Sequence, residues 1–262
     1  MKKAVQRAPM LIEERRQHIL SLIQKKGRVL VDELSVQLDL SKITIRKDLD
    51  YLQSKELLVR THGGALPVHA GTLSDPPIED KEELHHEDKL KIAKAAVSTI
   101  SEGQCIILDS GTTTTAIARE LLVFKRLTVI TNALNIAADL ARSDFEVILI
   151  GGTLRKNSMS LVGPLAEDVL REMHADVLFI GVDGFDTKIG LTTPNVLEAR
   201  VNRAMVNAAE RVVAVCDSSK FNRRSLSLIV DASAIHHVIT DSNLSPEQAR
   251  AIQDAGIQLT VV

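Results

Sequence analysis

Ile106-Ile107-Leu108-Asp109-Ser110-Gly111-Thr112-Thr113-Thr114 decides the fold of most of this chain. Three apolar residues are followed by small polar ones and a glycine, the signature of a short buried strand, a tight loop and a helix start. The pattern then repeats. Candidate strands fall at 105–108, 127–130, 146–150, 177–180, 212–215, 237–239 and 258–262. Candidate helices fall at 89–100, 114–122, 135–141, 165–173, 196–209 and 246–255. Short apolar strands alternating with helices predict a mostly parallel sheet covered on both faces, a doubly wound α/β domain. In such a sheet, ligands bind at the loops leaving the carboxyl ends of the strands.

The residues on those loops suit an anion and a polyol. Asp109, Ser110, Gly111, Thr112 and Thr113 present hydroxyls and backbone N–H groups at a helix N-terminus, where anions bind. A capped strand–helix junction is the structural alternative. Thr131 and Asn132 follow the second strand, and Gly151 and Gly152 follow the third, in equivalent positions. Further loops hold Gly181-Val182-Asp183-Gly184-Phe185-Asp186 and Asp217-Ser218-Ser219-Lys220-Phe221, with Glu198 early in a helix. Lys220 offers phosphate a point charge. Asp183 and Glu198 offer acceptors to sugar hydroxyls. Asp183 as a turn cap, Glu198 as a surface ion pair and Asp217 as an N-cap stay open as structural readings.

Upstream, the pattern is helical and short. Ile19, Leu20, Leu22 and Ile23 make one stripe of a first helix, which Gly27 stops. Residues 31–38 form a second helix with Leu34 and Leu38 inward. Ser41 is an N-cap for a third helix over 42–55, which buries Ile45, Leu49 and Leu52. A strand at 57–60 and a turn at His62-Gly63-Gly64 complete a hairpin returning through Ala65-Leu66. That order is a winged helix-turn-helix. At the start of the third helix, Ser41 to Asp48 alternates inward Ile with outward hydroxyl and basic groups. Ser41, Lys42, Thr44, Arg46 and Lys47 can donate to phosphates or base edges of double-stranded operator DNA. Arg60 and His62 on the hairpin are candidates for backbone or minor-groove contact. Residues 1–66 thus form a DNA-binding domain and 84–262 a sensor and oligomerisation domain. Residues 67–83, with Pro67, Gly71, Ser74, Pro76 and Pro77, form a linker.

Charge supports this division. Residues 1–64 carry 13 Lys/Arg against 8 Asp/Glu, and the remainder 19 against 26. A basic head on an acidic body suggests that the head alone meets a polyanion. With aromatics at 2% and no Trp, the core must be aliphatic. No apolar run approaches the roughly 18 residues of a membrane span. The basic stretch Met1 to Ala8 is not followed by a signal-peptide core, so a cytoplasmic location without a membrane partner is expected. Cys105 and Cys216 read as buried reduced thiols. No Cys/His spacing resembles a zinc site, and neither a metal, a cofactor nor a catalytic residue is expected.

The head resembles the DeoR family of regulators. The family signature places an Arg before apolar residues four and eight positions later, then a 16–17-residue gap, then Ser/Thr-x-x-Thr-apolar-basic-polar-Asp-apolar. This chain supplies Arg15, Ile19 and Ile23, seventeen residues (24–40), then Ser41, Thr44, Ile45, Arg46, Lys47, Asp48 and Leu49. The resemblance implies that Thr44 and Arg46 face DNA and that Asp48 braces the helix against a basic neighbour. The body also looks like the DeoR-family sensor, which is related to ribose-5-phosphate isomerase. That implies a phosphorylated sugar as effector. The isomerases carry a Lys before a glycine-rich loop where this chain has Gly190-Leu191-Thr192-Thr193-Pro194-Asn195. Loss of that cation removes the group expected to stabilise an enediolate. An isomerase-like enzyme with an appended head is therefore the alternative, and a non-specific nucleic-acid or scaffold protein is a third. Asp217 to Arg223, with Glu198-Ala199-Arg200 and Asn202-Arg203, looks most like the branch controlling N-acetylgalactosamine and related amino-sugar genes. The expected protein is a repressor acting as a homo-oligomer, dimer or tetramer, on paired half-sites.

Overall fold

A computed structural model describes residues 10–26, 29–55, 57–61, 63–67, 72–73, 75–82 and 84–262. The chain divides into two compact units, Met1–Gly71 and Thr72–Val262.

The first unit runs α1 (Ile12–Lys26), β1 (Val29–Leu30), α2 (Val31–Leu38), α3 (Lys42–Ser54), β2 (Leu58–Thr61) and β3 (Gly64–Pro67). Ile19, Ile23, Leu34, Ile45, Leu49 and Leu58 close one aliphatic core. Asp39 ends α2 in the left-handed region, and Ser41 caps α3 by accepting the Thr44 N–H at 3.1 Å. The strands pair antiparallel in the order β1-β3-β2. Gly64 is required there: a Cβ would stand 2.0 Å from the Val29 carbonyl oxygen across the sheet. This is the winged helix-turn-helix read from the sequence. His62 lies outside the described residues. Ile43, expected inward with Ile45, is 66% exposed, because α3 already buries Ile45, Leu49 and Leu52 on its inner face.

Asp48 is the buried charge among the unit's described residues. Arg15 on α1 grips it with Nε to Oδ2 at 2.6 Å and Nη2 to Oδ1 at 3.1 Å, and Arg16 Nε adds a bond at 3.2 Å. The Arg16 guanidinium also lies 3.5 Å over the Tyr51 ring. The first and the last polar residues of the signature, Arg15 and Asp48, are therefore one ion pair joining α1 to α3.

The second unit starts with two helices, α4 (Ile78–Glu82) and α5 (His86–Val97). Then follow β4 (Cys105–Leu108), α6 (Thr112–Glu120), β5 (Thr128–Thr131), α7 (Leu134–Leu140), β6 (Glu146–Leu149), β7 (Thr153–Arg155), β8 (Ser160–Val162) and α8 (Pro164–Arg171). The chain continues through β9 (Ala175–Ile180), β10 (Gly184–Asp186), β11 (Gly190–Thr193), α9 (Val196–Asn207), β12 (Ala209–Val215), β13 (Ser227–Val230), β14 (His237–Thr240), α10 (Pro246–Asp254) and β15 (Gln258–Val261). All seven expected strands enter one sheet, in the order β15-β14-β12-β9-β4-β5-β6. Every pairing in it is parallel. α5, α6 and α7 cover one face through Ile92, Ile117 and Ile136, and α8, α9 and α10 cover the other through Leu170, Met205 and Ile252. Two small antiparallel additions were not expected: the β7-β8 hairpin and the β10-β11-β13 sheet.

Residues 75–82, expected as linker, pack on this second unit. Ile78 is buried, Lys81 pairs with Asp183 at 2.8 Å, and Glu82 pairs with Arg119 at 3.1 Å. The prolines prevent regular structure only as far as Pro77. Beyond it, one apolar side chain and two charges find partners. Cys216 is buried, as expected, but Cys105 is only half-buried. Among the described residues, no helix is long and apolar enough to cross a membrane.

Asp48→Ala is expected to destabilise the first unit by about 3–5 kcal/mol, because it strands Arg15 without its partner. Tyr51 is the only tyrosine in a chain that lacks tryptophan, so its fluorescence during urea unfolding reports on this unit. An unchanged midpoint would remove the pair from the account of stability.

Candidate functional site

From β4 the chain winds outward through β5 to β6. From β9 it winds the other way through β12, β14 and β15. β4 and β9 are neighbours, so the strand order reverses between them, and beyond the carboxyl ends of such strands is where sheets of this kind take ligands. Asp109 follows β4, and Gly181-Val182-Asp183 follows β9. Thr131 ends β5 and Asp217 lies just beyond β12. The topology thus brings most of the residues read from the sequence to one rim.

Asp109 is 1% exposed, and its Oδ1 has no hydrogen-bond partner. Burial, reinforced by the negative charge of Glu198 and Asp183, holds its carboxyl well above the usual range. Asn132 at the end of β5 is likewise buried, with Nδ2 donating to the Leu161 carbonyl at 3.2 Å and Oδ1 unpartnered. Buried polar atoms are rarely left so. The Glu198 carboxylate receives Arg155 at 3.1 Å, Ser160 Oγ at 3.2 Å and Thr193 Oγ1 at 3.4 Å. Its backbone N–H is capped by Asn195. Thr112 and Thr113 open α6, directly after Ser110 and Gly111.

Cations balance these acids. Burial works against ionisation of Asp183, but Lys81 and Lys220 outweigh it and keep the carboxyl below its ordinary value. Asp217 behaves alike: burial opposes its charge, while Lys220, His85 and Lys89 support it. Asp217 also caps the turn Ser218–Lys220 by accepting the Ser219 N–H at 3.1 Å, so its N-cap reading holds alongside its charge role. Lys89 is buried on α5, and its Nζ donates to the Lys81 carbonyl at 2.5 Å. Burial lowers its pKa from 10.5 to about 8.

Sequence reading missed Lys81, Lys89 and Arg155. Lys89 had a legible signal, because Lys89, Ile92, Ala93 and Ala96 share one buried helical face. A lysine on such a stripe is out of place unless the site uses it. Lys81 lay within the supposed linker, and Arg155 on an unforeseen hairpin. Gly152 has a packing role: with φ at +146°, a Cβ there would meet the Val162 carbonyl oxygen at 2.7 Å. Thr131 Oγ1 accepts the Ala133 N–H at 3.1 Å. A separate groove of about 340 Å³ between α8 and α9, lined by Glu167, Arg171, His174, Arg200 and Arg203, lies at the opposite, amino end of the strands. It holds none of the predicted residues.

On the head, Ser41, Lys42, Arg46 and Lys47 are exposed at the first turns of α3, and Thr44 is half-buried among them. Lys42 pairs with Asp32 at 2.8 Å, with both side chains in solvent. Arg60 is turned inward: it donates to Asp50 at 2.7 Å and to the Arg46 carbonyl at 3.1 Å. It therefore clamps β2 to α3 in this structure.

Residues 15–70 match the DeoR-like helix-turn-helix domain, and residues 84–242 match the DeoR C terminal sensor domain. The chain belongs to the DeoR family of transcriptional regulators. This DeoR-family chain is 41% identical over 251 residues to the provisionally named aga operon transcriptional repressor of Escherichia coli O157:H7, covering 95% of this chain and 93% of that protein. It is 39% identical to the HTH-type transcriptional regulator GlpR of Haloferax volcanii, covering 95% and 97%. It is 32% identical to the glycerol-3-phosphate regulon repressor of Escherichia coli K12, covering 94% and 97%. Among solved structures, ribose 5-phosphate isomerase A of Methanocaldococcus jannaschii is 20% identical over 52% of this chain and 55% of that one, with a TM-score of 0.40, too loose to build on. The DeoR-family chain is a DNA-binding regulator and not a sugar-phosphate isomerase.

Lys89→Met tests whether the site keeps a destabilising charge. Between pH 8 and 10.5, the unfolded chain holds a proton that the folded chain releases, so stability rises with pH across that window. Below pH 8 the cost of burying the cation is fully present. The variant should therefore gain about 1–3 kcal/mol at pH 7, with the gain shrinking toward pH 10. Thermal unfolding at several pH values measures it. A pH-independent difference would argue that Lys89 is not buried as a cation.

Proposed function

We propose that this protein represses sugar catabolic genes, amino-sugar genes among them, by gripping operator DNA as a homodimer or homotetramer in the cytoplasm. A phosphorylated sugar binding at the crevice controls that grip. The observation that carries this reading is the convergence of Lys81, Lys89 and Lys220 with buried, unpartnered oxygens at the reversal of strand order. Such a site suits a ligand that is anionic at one end and rich in hydroxyls at the other.

The cationic side takes the phosphate, helped by Gly111, Thr112 and Thr113 at the N-terminus of α6. Asp109, whose neutral form burial favours, pairs with sugar hydroxyls, as do Asn132, Asp183 and Glu198. Ser110 and Thr131 shape the adjoining wall, and Gly151 and Gly152 let the β7-β8 hairpin close over it. The names of the relatives support the ligand class: one is a glycerol-3-phosphate regulon repressor, another an aga operon repressor.

At the head, α3 enters the major groove with its N-terminal turns toward the bases. Ser41, Lys42 and Lys47 hold phosphates, while Thr44 and Arg46 read base edges. The exposed Ile43 suits the thymine methyl group. His62 remains a candidate for a backbone or minor-groove contact, and Arg60 acts by bracing the wing.

Two outcomes test the reading. On the promoter fragment upstream of its own gene, Arg46→Ala should cost about 1–3 kcal/mol and relax base preference at one position. Lys42→Ala should weaken binding evenly and reduce the salt slope. Equal effects of both on specific and random DNA would refute base reading. A panel of galactosamine 6-phosphate, N-acetylgalactosamine 6-phosphate and glycerol 3-phosphate should include a ligand that changes operator affinity. Its binding should weaken above pH 8 by up to about tenfold per unit as Lys89 loses its proton, since bound phosphate favours the charged lysine. Calorimetry that finds no binding by any of the three would reject effector control at this crevice.

A further inference from the structure

The Arg155 guanidinium, at the end of β7, faces two carboxylates at once. Its Nη1 donates to Glu198 Oε1 at 3.1 Å and to Ser158 Oγ at 2.8 Å, and its Nη2 pairs with Asp75. Glu198 is a wall of the crevice. Asp75 belongs to the segment that directly follows the division of the chain at Gly71/Thr72. The planar fork of an arginine can serve two acceptors through separate edges, which a lysine ammonium cannot do in one plane.

The same segment is fastened to the crevice at a second point. Lys81 Nζ donates to Asp183 at 2.8 Å. Asn157 Nδ2 bonds the Asp75 carbonyl at 3.3 Å, so the hairpin carrying Arg155 holds the backbone of the segment too. Two of its three charged anchors, Asp75 and Lys81, thus use the groups, Asp183 and the Arg155–Glu198 pair, that a ligand would have to recruit, while Glu82 pairs with Arg119 on α6.

We infer that Arg155 is a positioning residue that couples occupation of Glu198 to the segment 75–82, and through it to the DNA-reading unit. This rests on the crevice being the effector site. A ligand hydroxyl donating to Glu198 draws charge from the Arg155 side, and a ligand phosphate draws Lys81 from Asp183. The Asp75 and Lys81 anchors loosen together, while Ile78 and the Glu82–Arg119 pair keep the end of the segment nearer α5 in place. Asp75 and Lys81 are 20% and 25% exposed, so water can take over from each lost partner and the exchange is cheap. Coupling of this kind between two sites amounts to roughly 5–150-fold in affinity.

The test uses the full-length protein, its promoter fragment and galactosamine 6-phosphate as probe. Three quantities are read: probe affinity, the ratio of operator Kd with and without probe, and amide exchange in residues 75–82. In the wild type, probe should speed exchange in 75–82. Asp75→Asn should exchange fast without probe, bind probe within about threefold of wild type, and lose at least about fivefold of the operator ratio. Arg155→Lys should do the same, whereas Asp75→Glu should restore the coupling. Circular dichroism and thermal unfolding confirm that each variant is folded. An operator ratio in Asp75→Asn equal to that of the wild type overturns the inference, as does loss of probe binding in that variant, which would make Asp75 part of the ligand site. A wild type whose operator affinity ignores the probe while the probe binds the crevice also overturns it. A wild type that does not bind the probe at all instead rejects the effector reading on which it stands.

Discussion

The sensor depends on one constraint, the reversal of strand order between β4 and β9. Below the rim both faces of the sheet are sealed by aliphatic side chains: Ile106, Leu108, Val177 and Phe179 on one side, Ile107, Leu178 and Ile180 on the other. Such a core cannot solvate a charge. At the rim the chain leaves β4 and β9 in loops, which bring Asp109 and Asp183 near each other beyond the apolar sheet. From that point the charges have to be neutralised by one another. Lys81, Lys89 and Lys220 stand around Asp183 and Asp217, and Arg155 stands on Glu198.

This balance is unequal across the crevice. Asp183 and Asp217 have cations nearby and stay ionised. Asp109 has only other acids as charged neighbours, and burial favours its neutral form. A protonated carboxyl donates as well as accepts, so it can meet either kind of sugar oxygen. Lys89 is the mirror case, a cation whose hold on its proton is weakened by burial. Keeping both groups lowers stability. Local violations of packing rules are expected where a site is used.

The parallel sheet was legible because its strands are buried on both faces. They read as short unbroken apolar runs, such as Cys105-Ile106-Ile107-Leu108, and all seven were found to within one to three residues at their ends. The antiparallel pieces were not legible. Thr153-Leu154-Arg155 and Gly184-Phe185-Asp186 are three residues long and mixed in polarity, too short for alternation to stand out. Residues 75–82 read as linker because proline and serine content marks where helices cannot form and says nothing of where side chains anchor. Asp109, Asp183 and Lys220 follow strands in the sequence and Glu198 opens a helix, so their place near the strand ends was legible. That of their partners Lys81 and Arg155 was not, because they come from distant segments brought near only by tertiary structure. Ile43 was misplaced for a similar reason: strict alternation is a strand period, while α3 turns by 3.6 residues and leaves Ile43 outside.

The two units use ion pairs of different kinds, and the difference follows from what each must do. Arg15 and Asp48 are sealed at 12% and 3% exposure, with three arginine–carboxylate bonds. Breaking such a pair costs about 3–5 kcal/mol, more than the roughly 1–3 kcal/mol that a ligand typically transmits between sites. It can hold α3 at a fixed angle to α1, but no effector could switch it. Asp75, Lys81 and Asp183 keep 20–25% exposure, so in these pairs, unlike at Asp48, water can replace a lost partner. A metabolite that offers both pairs new partners can exchange them without breaking the Glu82–Arg119 pair or exposing Ile78. A rigid reader joined to an exchangeable fastening is therefore what these burial values permit. The reverse assignment would give a head that deforms on DNA and a sensor that no ligand could shift.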